Sequence, residues 1–117
     1  MLPGGNMSKK VLYAKQIFAS QSMGTGLIQS QIVNIPFLDN ISIEIAWTGT
    51  PVGTFQVLGS VSGINYNPVQ VSIKPASGSA DSTMASFQNQ GYQFILLQYT
   101  RTSGSGVLNA WAGGKEN

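Results

Sequence analysis

The sequence predicts an all-β domain, an antiparallel sandwich or barrel of about eight strands. Short apolar or alternating runs recur about every 10 to 15 residues, separated by clusters of Gly, Pro, Ser and Asn. No stretch shows a convincing helical period. A chain of 117 residues is long enough for one hydrophobic core. The prediction is therefore a single β-domain.

Alternation of apolar and polar residues marks the individual strands. The predicted strands cover residues 11–20, 27–35, 41–48, 54–61, 69–73, 83–87, 92–100 and 107–111. In 41–48, four apolar side chains share one face and the other face is mostly polar. Residues 49–53 have the composition of a hairpin turn, so strands 41–48 and 54–61 are expected to pair.

The strand at 92–100 carries apolar side chains on both faces. Phe94 and Leu96 share one face, while Ile95, Leu97 and Tyr99 share the other. A sandwich strand has only one inner face, so something must cover the second apolar face. A loop of the same chain, the N-terminal segment and another subunit are the alternatives.

Low charge is the main feature of the composition. Charged residues make up 9% of the chain, the net charge is +2, and the six cations are scattered. Phosphate binding needs clustered cations, so we expect no nucleic-acid partner. A neutral polar surface suits a protein that packs against other molecules, or an exposed extracellular domain.

The ends of the chain and its segments suggest no membrane association. No apolar run is long enough to span a bilayer, and the first residues lack the apolar region of a secretory signal. We expect a flexible N-terminal arm at 1–10, one sandwich domain at 11–112 and a tail at 113–117. Without cysteine, neither a disulfide nor a thiolate metal site can form.

The residues needed for catalysis are scarce. The chain has no histidine or cysteine, and no five-residue window holds two of its four acids, Asp39, Glu44, Asp81 and Glu116. General acid–base and nucleophilic constellations need such groups together. Two Gly-x-Gly segments lack the third glycine of a dinucleotide loop. We expect no enzyme activity, no metal and no cofactor.

A few aromatic residues are candidates for ligand contact. Trp111 and Tyr66 could stack on sugar rings if they are exposed, as could Tyr13 and Phe18, although all four suit a core equally well. Asn65 and Tyr66 lie in an Asn-rich turn at 63–68, which is either a ligand loop or a plain hairpin.

Two segments resemble small β-sandwich virion proteins of tailed bacteriophages. The first is 43–62, with Trp-Thr-Gly-Thr-Pro-Val-Gly-Thr at 47–54; the second is 99–110, which begins Tyr-Thr-Arg-Thr-Ser-Gly. Together they cover about a third of the chain. Ser62 stands where those proteins often have an acidic turn, which weakens any ligand role for this loop.

The resemblance implies a jelly-roll-like sandwich that acts as a capsid decoration or cement subunit. The implied location is the capsid surface of the virion. The implied partners are the major capsid protein or other virion proteins, together with further copies of the chain in a dimer or trimer. A tail or fibre protein and a carbohydrate-binding host-recognition module are the alternatives.

Six residues form the expected protein interface, some on the N-terminal segment and some on the outer side of strand 92–100. They are Lys9, Lys10, Tyr13, Phe18, Phe94 and Leu96. The possible ligand residues are Asn65, Tyr66 and Trp111.

Overall fold

A computed structural model describes residues 9–36 and 38–117, and this part of the chain is all-β. Ten strands form two antiparallel sheets. The strands are β1 Val11–Ser22, β2 Leu27–Gln29, β3 Val33–Asn34, β4 Asn40–Gly49, β5 Val52–Ser60, β6 Asn67–Pro68, β7 Ala76–Ser77, β8 Asp81–Gln88, β9 Phe94–Ser103 and β10 Gly106–Lys115. The predicted two-sheet sandwich is confirmed.

The connectivity is that of a jelly roll. Sheet A has the order β1-β10-β4-β8, and sheet B has the order β2-β9-β5-β6, with β3 also on β9 and β7 also on β5. Counting β2 with β3 and β6 with β7 as interrupted strands leaves eight. The first then pairs with the last and the second with the next to last, as in a double Greek key.

The core lies between the inner faces of the two sheets. Ile41, Ile43, Ile45 and Trp47 of β4 all point inward and are buried, as their alternation predicts. The ring of Phe55 in β5 packs 5.1 Å from that of Trp47 and 4.9 Å from that of Tyr99, centroid to centroid. This aromatic row joins the two sheets near the end of the sandwich at which β4 leads into β5.

The predicted pairing of strands 41–48 and 54–61 is wrong. β4 pairs with β10 and β8, whereas β5 pairs with β9 in the other sheet. The link Thr50–Pro51 carries the chain from sheet A to sheet B, and Pro51 is buried. A turn composition fits a sheet crossing as well as a hairpin, and only the crossing lets Trp47 and Phe55 face each other across the core.

Two predicted strands are interrupted or absent. The run 27–35 splits into β2 and β3, because Ser30 between them bonds β9 with its side chain as well as its backbone. The Ser30 N–H donates to the Leu97 carbonyl, and the Ser30 hydroxyl accepts the Leu97 N–H at 2.8 Å. The run 69–73 is not a strand. Its Val71 and Ile73 side chains pack on the core instead, which explains their apolar spacing.

The boundaries at the two ends also differ from the predicted ones. β10 runs to Lys115, so three residues assigned to a tail belong to sheet A. Lys10, assigned to an arm, is bonded to Glu116 beside the start of β1: its carbonyl accepts the Glu116 N–H, and its N–H donates to the Glu116 carboxylate. Residues 1–8 of the predicted arm lie outside the described residues.

Gly53 has no room for a side chain, which gives a first prediction. A Cβ there would lie 2.3 Å from the Thr100 carbonyl oxygen and 2.6 Å from the Tyr99 hydroxyl. We expect Gly53→Ala to destabilise the fold by about 2–3 kcal/mol, lowering the thermal midpoint by roughly 10 °C. The control is Gly26→Ala, where nothing lies within 4 Å of the new Cβ. Equal midpoints for the two variants would contradict the close β5–β9 approach.

Tyr99 gives a second prediction. Its hydroxyl is buried and has no hydrogen-bond partner among the described residues. Because an unsatisfied buried hydroxyl is unfavourable, we expect Tyr99→Phe to be neutral or to stabilise by up to about 1 kcal/mol in chemical denaturation. A loss of 2 kcal/mol or more, roughly, would mean that the hydroxyl is satisfied.

The same variant tests the pH dependence. Burial raises the pKa of Tyr99, and the positive charge of Arg101 offsets part of that rise. Above pH about 10 the unfolded tyrosine loses its proton while the folded one keeps it, so stability falls as the pH rises. Tyr99→Phe is expected to lack this part of the loss of stability at alkaline pH. Near neutral pH, its free energy of unfolding is expected to change with pH as that of the wild type does.

Candidate functional site

Two of the four acidic side chains, Asp39 and Glu116, lie at the same end of sheet A, and the other two lie elsewhere in the described structure. The Asp39 carboxylate accepts the Asn117 N–H at 2.7 Å, and that of Glu116 accepts the Lys10 N–H at 2.9 Å. Asp81 forms an ion pair with Lys74 at 2.5 Å, which lowers the pKa of its carboxyl. Glu44 lies apart, exposed on the outer side of sheet A. Among the residues described, no three potential metal ligands come together.

No helix in the described ranges is long and apolar enough to cross a membrane.

The outer side of sheet A is the most distinctive surface, and we call it the Trp111 face. Trp111 of β10 lies opposite Glu44 of β4, which in turn lies opposite Met84 of β8. Opposite residues of an antiparallel pair point to the same side, so these three side chains form a row across the sheet. The face also includes Ser42, Ala46, Thr48, Ser82, Ser86, Val107, Asn109 and Gly113.

A shallow depression of about 180 Å³ lies at the middle of the Trp111 face. It is lined by Ala14, Ser42, Glu44, Met84, Trp111, Ala112 and Gly113. The lining residues at 14 and 113 are small, and Trp111 lines the same depression. Glu44 is the one charged side chain in this lining.

Apolar side chains on this face are exposed. Met84 is 55% exposed, Val107 is also exposed, and Trp111 is half-buried. Near the centre of the face Glu44 is the one charged residue, and Lys115 lies on the same side at the end of β10, opposite Asn40. The hydroxyls of Ser42 and Ser86 lie 2.9 Å apart and hydrogen-bond each other. When another surface covers this part of the sheet, apolar area leaves water and few charged groups lose their hydration.

The three candidate ligand residues do not form one site. Trp111 lies on the outer side of sheet A, whereas Asn65 and Tyr66 lie in the loop that follows β5 in sheet B. Two serine hydroxyls bond the backbone of that loop. The Ser60 hydroxyl accepts the Gly63 N–H at 2.8 Å, and the Ser62 hydroxyl accepts the Ile64 N–H at 3.0 Å. Ser62 therefore has a structural role in the turn.

The predicted N-terminal interface residues differ in exposure. Lys9 and Lys10 are exposed, with Lys10 held to Glu116 through its backbone, and Tyr13 is 82% exposed in β1. Phe18 is only 3% exposed, because its side chain lies on the side of β1 that faces the core. The structure thus corrects Phe18 from a contact residue to a core residue.

The second apolar face of the strand at 92–100 is largely covered by the chain itself. Leu96 is 5% exposed and lies opposite Leu58, which is also buried. Phe94 is half-buried, and its ring lies against Gly63 in the loop after β5. Of the three predicted alternatives, the loop of the same chain covers part of Phe94, and Leu96 has little surface left for a partner.

Met84, Glu44 and Val107, three members of the Trp111 face, were not among the interface or ligand residues predicted from the sequence. The signal for Met84 was present, because Thr83, Ala85 and Phe87 alternate with Ser82, Met84 and Ser86. An apolar residue on the polar face of an alternating strand is a candidate contact residue. Its position next to Glu44 and Trp111 depends on pairing between distant strands.

No family model matches the chain, and no curated protein matches it either. Among solved structures, the chain is similar to the SPBc2 prophage-derived protein YomS, with a TM-score of 0.59. The similarity covers 86% of this chain and 93% of that protein, at 7% sequence identity. At this identity the similarity shows a shared fold.

Proposed function

We propose that this protein is a non-enzymatic structural subunit of a tailed-bacteriophage particle. More specifically, we propose a capsid decoration or cement subunit that binds the major capsid protein on the outside of the head. In this role it would stabilise the shell by covering the joint between neighbouring capsid subunits, without any chemical reaction.

The Trp111 face is the observation that carries this proposal. Protein interfaces are enriched in Trp and Met and depleted in charge at their centres. The row Trp111, Glu44 and Met84 fits that description, with one carboxylate to fix orientation. Its four strands are hydrogen-bonded into one sheet, so the face is ordered before binding and little conformational entropy is lost.

The fold supports the same proposal. Jelly rolls recur in viral capsid domains, and one solved structure with a similar fold is that of a prophage-derived protein. The hairpin segments at 47–54 and 99–106 resemble those of small virion proteins. Low charge over the whole chain also suits a subunit that packs closely against a shell.

The experiment compares particle incorporation of three forms of the protein. Particles of the phage that encodes the chain are purified and probed by mass spectrometry, and particles lacking the protein are then incubated with purified protein and sedimented. The combined change Trp111→Ser and Val107→Ser is expected to weaken binding at least 30-fold, because a central Trp contributes about 2 kcal/mol or more.

Ile64→Ser is the matched control, since Ile64 is 81% exposed but lies in the loop after β5. We expect it to bind like wild type. Absence of the protein from purified particles would contradict the virion role. Binding that survives the Trp111 and Val107 changes would contradict the use of this face.

A carbohydrate-recognition role is the second candidate, and the depression beside Trp111 favours it. Trp111, Ser42 and Glu44 line the same depression, so the hydroxyl and the carboxylate could bond sugar hydroxyls while the indole stacks on a sugar face. Trp47 is buried and donates its indole N–H to the Ser79 carbonyl, so it reports on the core.

Glycan titrations followed by tryptophan fluorescence test this candidate. A saturable change in the wild-type emission that disappears in Trp111→Phe would support carbohydrate binding. An emission unresponsive to a panel of host surface glycans would contradict it. Trp47→Phe is the control and is expected to keep the response, provided its fold is intact by circular dichroism.

A further inference from the structure

Most edges of the two sheets are protected against pairing with another strand. In sheet A, β1 has three irregularities in its register with β10 and carries Lys15. In sheet B, β2 and β3 are three and two residues long, and β6 is two residues long and contains Pro68. Bulges, lysines, prolines and short strands are the usual devices that block edge-to-edge association.

The edge formed by β8 has none of these features. Its eight residues pair with β4 in an unbroken register, from Gln88 opposite Asn40 to Asp81 opposite Trp47. It contains no Lys, Pro or Gly. Every second residue of such a strand turns its N–H and C=O away from its neighbour. Among the described residues, β8 pairs with β4 alone.

The neighbouring segment 69–75 does not cover this edge with backbone hydrogen bonds. Its backbone bonds run from the Val69 N–H to the Val57 carbonyl and from the Val71 N–H to the Val69 carbonyl. A groove separates Val69 and Gln70 from Ser86, Phe87 and Gln88. Among the described residues, the one ion pair between this segment and β8 joins Lys74 to Asp81 at the start of β8.

We propose that β8 pairs antiparallel with β8 of a second copy of the chain, around a two-fold axis. An antiparallel edge is complementary to itself, because each strand offers the same alternation of donors and acceptors. The side chains fit as well. In the register that places Met84 opposite Met84, Ser82 lies opposite Ser86, and the single charged residue, Asp81, lies opposite Phe87.

A shift by one residue in each copy places Ala85 opposite Ala85 and again keeps the same side chains outside. Asp81 then lies opposite Asn89, so neither register sets two like charges against each other. Self-pairing therefore meets no electrostatic penalty in β8.

The dimer would contain one continuous eight-stranded sheet. A two-fold axis perpendicular to that sheet places the two Trp111 faces on the same side, with the Met84 residues of both copies at the centre. The area of apolar face offered to a flat partner would double. The dimer itself is independent of the proposed virion role, since it is formed and measured with purified protein alone.

Charge placed at the edge tests the dimer. Size-exclusion chromatography with light scattering, over the micromolar to millimolar range, is expected to show a concentration-dependent dimer. Met84→Lys is expected to raise its Kd at least tenfold, because it places like charges together at the axis. Gln56→Lys, on the exposed side of sheet B, is the matched control and should leave the Kd unchanged.

Mixing opposite charges makes the test specific. Met84→Lys and Met84→Glu should each be weakened as homodimers, while an equimolar mixture should recover dimer formation. Recovery is not expected from a general loss of folding. A dimer that both single variants retain at wild-type strength would overturn the proposal, as would a wild-type protein that stays monomeric throughout the range.

Cysteine cross-linking tests the register in a chain that has no cysteine of its own. Opposite residues of an antiparallel pair have Cα atoms about 4.5–5.5 Å apart, which a disulfide can span. Met84→Cys or Ala85→Cys is expected to give a disulfide-linked dimer under mild oxidation, and Gln56→Cys is not. Equal cross-linking at Gln56 would overturn the assignment to β8. So would a monomer that binds a strand of another protein at this edge instead.

Discussion

The crossing at Thr50 and Pro51 is the constraint on which the sandwich depends. It takes the chain from sheet A to sheet B within two residues, and so brings Trp47 and Phe55 face to face with ring centroids 5.1 Å apart. Gly49 makes the crossing possible with a φ of 85°, in the left-handed region that glycine adopts without strain. Its Cβ would otherwise lie 2.6 Å from the Ser105 carbonyl oxygen. The spacing between the sheets is set here.

The core alone must hold this fold, since the chain has no cysteine and the described residues form one exposed ion pair. The loops at the crossing end are tied to each other by backbone bonds, such as those from the Thr50 N–H to the Ser105 carbonyl and from the Met23 N–H to the Gly106 carbonyl. At the opposite end, the side chain of Asn89 bonds the backbone of Ile35 and Tyr92. Connections ordered in this way make the sheets rigid enough to present a fixed face.

Both proposed contacts use sheet A, and they fit together physically. The Trp111 face offers side chains perpendicular to the sheet, while the β8 edge offers backbone groups in its plane. Occupying one leaves the other open. A subunit built in this way gains area for a flat partner by pairing with itself, and avidity follows when both halves of the dimer reach neighbouring sites on a repetitive surface.

The amino-acid sequence by itself determined the fold class, the position of most strands and the inward face of β4, because side-chain alternation is a local property with a period of two. The sequence also shows directly that charged residues and potential catalytic groups are scarce. Only the tertiary structure decided that Thr50–Pro51 crosses between sheets, that Phe18 and Leu96 are covered, and that Glu44, Met84 and Trp111 adjoin. Those outcomes depend on which distant strands pair. That choice is made by burying the inner apolar faces of both sheets together, and no local pattern records it.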